Sequence, residues 1–207
     1  MTLREKYGEW GIILGATEGV GKAFCERLAK EGMNVVMVGR REEKLKELGE
    51  ELKNTYEIDY KVVKADFSLP DATDKIFAAT ENLDMGFMAY VACLHSFGKI
   101  QDTPWEKHEA MINVNVVTFM KCFYHYMKIF AAQDRGAVIN VSSMTGISSS
   151  PWNGQYGAGK AFILKMTEAV ACETEKTNVD VEVITLGTTL TPSLLSNLPG
   201  GPQGEAV

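Results

Sequence analysis

The chain has 207 residues, 45% of them hydrophobic and 23% charged, enough to bury the core of one large α/β domain. Its 21 basic residues against 27 acidic ones leave a formal charge of -6, the wrong sign for a surface that gathers phosphate backbones, so no nucleic-acid partner is expected. No apolar run reaches the roughly 20 residues of a membrane-spanning helix, and the opening MTLREKYGEW carries charge where a secretion signal is apolar. A cytoplasmic protein is expected. Cys25, Cys93, Cys122 and Cys172 are scattered without metal-ligand spacing, as are His95, His108 and His125, so reduced thiols and no metal are expected.

From the N-terminus onward, short apolar runs alternate with longer amphipathic stretches. The runs at residues 10–15, 34–38, 60–65, 86–92, 137–142 and 181–186 are strand length and nearly continuously apolar, as parallel strands covered on both faces are. Helices are expected between them over residues 20–31, 42–55, 71–82, 105–133 and 156–176. In the first helix Val20, Phe24 and Leu28 fall at steps of four, and Gly32 stands where a left-handed cap closes a helix. This repeated β-α-β order implies a Rossmann-type, doubly wound parallel sheet with helices on both faces, a three-layer α/β/α architecture that binds dinucleotides at the carboxyl ends of its strands. One domain is expected over residues 1–191. Residues 192–207, PSLLSNLPGGPQGEAV, have no strand pattern and read as a flexible tail or the start of a substrate lid.

The turn after the first run is Gly15-Ala16-Thr17-Glu18-Gly19-Val20-Gly21, leading straight into the first helix. Glycines there permit a tight turn, a close approach to a diphosphate and close packing of helix on strand, with the helix N-terminus facing the anion. A glycine-rich loop in this place is also compatible with a mere turn. Behind the second run stand Gly39, Arg40 and Arg41. A carboxylate there would suit the ribose 2′-OH of NAD, whereas arginine suits the 2′-phosphate of NADP. NADP(H) is therefore favoured, with NAD(H) the alternative; Glu18, near the same phosphate, is expected to repel it. Arg40 and Arg41 also read as the start of a solvated helix.

Tyr156 and Lys160 lie four residues apart, on one face of a helix. A free phenol has a pKa of about 10, too high for acid-base work near neutrality, and a cation held close favours its ionisation. Ser143, at the carboxyl end of the fifth run, can hydrogen-bond a reacting oxygen. Singly, each is an ordinary surface or loop residue.

Together, the glycine-rich first turn, Ser143 and the Tyr156/Lys160 pair, in that order and spacing, resemble the short-chain dehydrogenase/reductase family. The resemblance covers the chain from Tyr7 to Thr191. It implies that Asn115 in INVNVV supports a water relay to the lysine, and that Asp66, with Phe67 behind it in KADF, contacts the adenine ring. It also implies that Gly187, Thr189 and Thr191 hold the nicotinamide carboxamide. The family's usual threonine before the first glycine is here Leu14, and its Asn-Asn-Ala-Gly is Tyr90-Val91-Ala92-Cys93. Since those segments meet in the family, Ala92 and Cys93 are expected to form a repacked support beneath the cofactor. His95, Trp152 and Asn153 are expected to line the substrate pocket. The stripe Met111, Phe119, Met120, Phe123, Tyr124, Met127 and Phe130 reads as core or subunit interface, in a homodimer or homotetramer.

The segments KYGEWGIILGATEGVGKAF and VVMVGRREEKL are most similar to the 17β-hydroxysteroid dehydrogenase and 3-ketoacyl reductase branch. The activity this implies is NADP(H)-dependent interconversion of a ketone and a secondary alcohol on a steroid, bile-acid-like or 3-ketoacyl small molecule. The alternative is a non-catalytic nucleotide-binding protein on the same fold.

Overall fold

The computed structural model describes residues 1–189; Thr191 and the tail at 192–207 lie outside the described residues. Six parallel strands, β1 (Trp10–Leu14), β2 (Asn34–Gly39), β3 (Tyr60–Lys64), β4 (Met85–Tyr90), β5 (Gly136–Ser143) and β6 (Val179–Leu186), form one sheet in the order β3-β2-β1-β4-β5-β6. The chain winds outward from β1 in one direction and from β4 in the other, so a crevice opens at the carboxyl ends of those two strands. There Leu14 pairs with Val38 on one side and Tyr90 on the other.

The helices are α1 (Leu3–Tyr7), α2 (Gly19–Lys30), α3 (Glu42–Tyr56), α4 (Ala72–Thr80), α5 (Trp105–Ile112), α6 (Phe119–Gln133) and α7 (Gly154–Thr174). Neighbouring strand residues feed opposite layers, as the two-residue period of a strand requires. Ile13, Val35, Met37 and Phe87 pack with Cys25 and Leu28 of α2 and Leu45, Leu48 and Leu52 of α3. Ile12, Leu14, Val36, Val38 and Met88 pack with Ile76 of α4, Phe119 and Phe123 of α6 and Ile163 of α7. The expected three layers are thus present, and each fully buried aliphatic side chain adds about 1.5–3 kcal/mol to them. Among the described residues no helix is long and apolar enough to cross a membrane.

Three local features differ from the sequence expectation. Helix α1 was not expected, because five residues carry too little periodicity. Its signal is a capping box, in which Glu5 N–H donates to Thr2 Oγ1 at 3.2 Å and Thr2 N–H to Glu5 Oε2 at 2.6 Å. The buried face of α2 is Gly21, Cys25, Leu28 and Ala29, with Val20 and Phe24 half-buried at its margin. The expected single helix over 105–133 is interrupted by a π-helical segment at Asn113–Thr118. That widened turn is fastened from outside: Tyr90 Oη donates to the Val114 carbonyl at 2.6 Å, Thr118 Oγ1 to the Phe67 carbonyl at 2.8 Å, and Asn113 Nδ2 to the Ser68 carbonyl at 3.2 Å. Such segments cluster at functional sites, and this one carries Asn115. Of the aromatic stripe, Phe119, Phe123 and Phe130 are core while Tyr124 faces outward.

Candidate active site

The chain leaves β1 through a turn in which Gly15 and Ala16 N–H both donate to the Val38 carbonyl, at 3.0 and 3.1 Å. Gly15 has φ +100° and Gly19 φ +55°, backbone that glycine adopts without strain. A Cβ at Gly15 would stand 2.6 Å from Ala92 N, and one at Gly21 would land on the Gly15 carbonyl oxygen. The start of α2 is therefore pressed directly under the turn. The N-cap residue Glu18 makes no side-chain hydrogen bond to the start of α2, which leaves its first-turn N–H groups and positive dipole end available to an anion.

At the end of β2 a Cβ on Gly39 would come within 2.7 Å of Thr17 Oγ1, so the two loops abut. Arg40 and Arg41 are exposed. Arg41 Nη2 lies 2.7 Å from Glu18 Oε2, so the repulsive carboxylate expected in this loop is paired with one of the two arginines. Asp66, past the end of β3, accepts from Ser68 N–H at 3.0 Å and Ser68 Oγ at 2.7 Å. Burial pushes its carboxyl up, but these bonds and the Arg40 charge outweigh burial and leave it below its usual range. Phe67 is buried beside it, edge-on to Tyr90 at 6.0 Å between ring centroids.

Beneath the turn, the Leu14 carbonyl accepts from Val91 N–H at 2.9 Å and Ala92 N–H at 2.7 Å. The two segments that depart from the family's usual residues are thus hydrogen-bonded to each other, as expected. The next residue but one after Ala92 is held by Asn115: Leu94 N–H donates to Asn115 Oδ1 at 3.0 Å, and Asn115 Nδ2 to the Leu94 carbonyl at 2.7 Å. A Cβ on Gly159 of α7 would meet Asn115 Cβ at 2.9 Å. The amide expected to support a water relay is engaged twice with this loop, and its Cβ lies close against Gly159 of α7. Asn115→Ala is expected to cost about 1–3 kcal/mol, because it leaves two part-buried backbone groups of Leu94 unpaired. A thermal or denaturant unfolding curve checks this, and an unchanged midpoint would refute it.

Strand β5 delivers Ser143, and α7 delivers Tyr156 and Lys160. Ser142 Oγ donates to the Lys160 carbonyl at 2.8 Å and buried Lys160 Nζ donates to the Val141 carbonyl at 2.7 Å, so strand and helix are fixed to each other at the site. Lys160 Nζ lies 5.8 Å from the centre of the Tyr156 ring. Burial raises the phenol above its ordinary value, the Cys93 thiol adds to that, and a hydrogen bond from Ser143 pulls the other way. Burial lowers Lys160. Desolvation, which disfavours any ionised form, dominates the phenol's shift, and the lysine charge does not contribute to it. Ser143 Oγ accepts from Thr145 N–H at 3.2 Å and Thr145 Oγ1 at 2.9 Å, leaving its own proton to point elsewhere. Thr145 was missed in the sequence; a Ser-x-Thr after a strand is its one signal.

On the substrate side, the His95 ring stands 5.6 Å from the Tyr156 ring and 5.7 Å from Phe97. Its Nε2 is buried without a hydrogen-bond partner among the described residues, and burial, then the Lys160 charge, lower its pKa. Trp152 is exposed, with φ +61°, and its carbonyl accepts from Gly98 N–H at 2.9 Å. It lines a cavity of about 860 Å³ together with Trp105, His108, Met111, Ile112 and Gln155. That cavity reaches Gln155 but not Tyr156 itself. Asn153 is buried at the start of α7, off this wall, with Oδ1 unpartnered among the described residues. His108 and Gln155 carry no sequence signal, because distant elements bring them together: Gln155 Nε2 donates to the His108 carbonyl at 2.7 Å and Gln155 Oε1 meets His108 Nδ1. Gly187 and Thr189 follow β6 and are exposed, Thr189 Oγ1 donating to the Gly187 carbonyl at 3.2 Å.

A tight glycine turn and a half-buried phenol beside a buried lysine share one rim of a doubly wound sheet, the arrangement of a dinucleotide-dependent oxidoreductase. The chain belongs to the short-chain dehydrogenase family, whose model matches residues 9–198, and so acts on CH-OH and C=O groups. It is 84% identical over 207 residues to the 7beta-hydroxysteroid dehydrogenase of Collinsella aerofaciens, covering 100% of this chain and 79% of that protein. It is 45% identical over 206 residues to the 7beta-hydroxysteroid dehydrogenase of Clostridium sardiniense, again covering 100% of this chain and 79% of that protein. A solved structure described for 7beta-hydroxysteroid dehydrogenase stereoselectivity matches with a TM-score of 0.93 at 84% identity, over 99% of this chain and 79% of that one.

Proposed function

We propose that this short-chain dehydrogenase interconverts a 7β-hydroxyl and the corresponding ketone on a steroid-type small molecule, with NADP(H) as cofactor. The observation that carries the reading is 84% identity along the whole chain to a protein with that hydroxysteroid activity. The site residues fit the cofactor on their own chemistry. The glycine turn leaves a concavity that a Cβ at Gly15 or Gly21 would fill. The open N-terminus of α2 suits a diphosphate, and Arg40 and Arg41 beside Gly39 suit a 2′-phosphate. Asp66 and Phe67 are the candidates for the adenine, and Ala92, Cys93, Gly187 and Thr189 for the nicotinamide end.

Bound there, the cofactor supplies or accepts a hydride. The chain's own part is proton transfer and orientation. In the reductive direction Tyr156 Oη donates a proton to the substrate oxygen, and in the oxidative direction it accepts one. Ser143, whose oxygen lone pairs are occupied by Thr145, turns its hydroxyl proton toward that oxygen. Lys160, buried and tied to Val141, supplies a cation that favours the phenolate as it forms. Asn115 keeps the loop carrying Cys93 and His95 in register with α7. His95, Trp152 and Asn153 are proposed contacts for the substrate body.

Arg40→Ala is expected to weaken NADPH binding about tenfold or more, the scale of a hydrogen bond to a charged group, and NADH binding much less. A fluorescence titration with both cofactors checks it; equal losses would refute the NADP(H) assignment.

A further inference from the structure

We propose that Glu18 is a stand-in anion for the cofactor's 2′-phosphate: it pairs with Arg41 at the corner proposed for that phosphate, and so sets how tightly the phosphorylated cofactor is held. The inference rests on the NADP(H) reading above and deepens it. Glu18 Oε2 and Arg41 Nη2 are 2.7 Å apart, with side-chain exposures of 25% and 45%. The pair joins the residue just before α2 to the residue just before α3, across the loop pair where Gly39 abuts Thr17.

The other cation of this loop end, Lys22, is held by Glu26 and Glu51, at 3.5 and 3.3 Å. Arg40 makes no ion pair among the described residues, although its charge reaches Asp66. Of the two arginines offered to a 2′-phosphate, one is therefore free and one is already bound to a carboxylate. Glu18 does no other visible work: it makes no capping hydrogen bond to α2. A phosphate arriving at this corner must share or take over the Arg41 guanidinium, and part of its attraction is offset by the pair it disrupts.

The test is the affinity of the purified protein for NADPH, NADH and 2′,5′-ADP, by titration calorimetry or fluorescence, in wild type, Glu18→Gln and Glu18→Gln on an Arg41→Ala background. Gln keeps the size and polarity of the side chain and removes its charge. The proposal expects Glu18→Gln to tighten NADPH and 2′,5′-ADP by about two- to fivefold, the scale of a part-exposed ion pair. NADH should gain less, and the gain should vanish without Arg41. Unchanged or weaker 2′-phosphate binding in Glu18→Gln overturns the proposal, as does a gain that survives at full size without Arg41, which would mean direct repulsion. A wild type that shows no preference for NADPH over NADH and does not bind 2′,5′-ADP overturns the underlying cofactor reading instead, and the proposal with it.

Discussion

Tyr156→Phe is expected to lower turnover by about 10²–10⁴-fold, the range that a positioned general acid-base contributes, while cofactor affinity stays close to wild type. The ring remains, so its edge-on contact with His95 and the packing of α7 are kept, and only the hydroxyl, with its hydrogen bond from Ser143, is lost. The pH profile should change with it. Burial holds the phenol protonated beyond its ordinary range, so reduction, which needs the protonated form, should persist through neutral pH and fall only under alkaline conditions. Oxidation needs the ionised form and should rise with pH. In Tyr156→Phe whatever residual rate survives should lose this dependence. Steady-state rates in both directions, together with a cofactor titration, check the prediction. Retained turnover would remove Tyr156 from the chemistry and revive the non-catalytic reading.

Gly21→Ala is the second large effect. The added methyl group lands on the Gly15 carbonyl oxygen, with Ala16 Cα at 3.0 Å, and both obstacles are backbone. Forcing such a group into a packed site costs typically about 1–3 kcal/mol, and relief requires the start of α2 to move away from the turn. That movement displaces the N–H groups proposed to hold the diphosphate. The expected result is a cofactor affinity lowered on the order of a hundredfold, since about 2.7 kcal/mol corresponds to that factor, with a smaller loss of thermal stability. Wild-type affinity for NADPH in Gly21→Ala would show that this turn does not carry the diphosphate.

The fold was legible because its strands are buried on both faces: β2 and β4 are buried at every position, and a fully apolar run between amphipathic helices is hard to read otherwise. Helix α1 and the π-helical turn at Asn113–Thr118 were not. The first is too short for periodicity, and the second widens one turn without breaking the apolar stripe of α6. The family was legible from Gly15–Gly21, Ser143, Tyr156 and Lys160, and the hydroxysteroid part of the resemblance agrees with the names of the similar proteins.

What escaped the sequence was how side chains engage one another. Glu18 looked like an argument against a 2′-phosphate until its partner Arg41, on another element, came into view. Asn115 looked like a residue supporting a water relay, yet its amide is clasped to Leu94 by a tertiary contact. Lys160 looked like the group that sets the Tyr156 pKa, whereas in the folded chain the phenol is half-buried and desolvation dominates its shift. Spacing along a helix reports that two groups share a face; it does not report how much water they keep.

The most direct measurement is the absorbance of the reduced cofactor when the purified protein meets a steroid ketone at C7, first with NADPH and then with NADH, beside a 3-ketoacyl substrate. The account predicts rapid oxidation of NADPH by the 7-ketosteroid, formation of the 7β-alcohol, and a much slower reaction with NADH. Tight NADPH binding with no turnover of the 7-ketosteroid, or turnover confined to the 3-ketoacyl substrate, would contradict it.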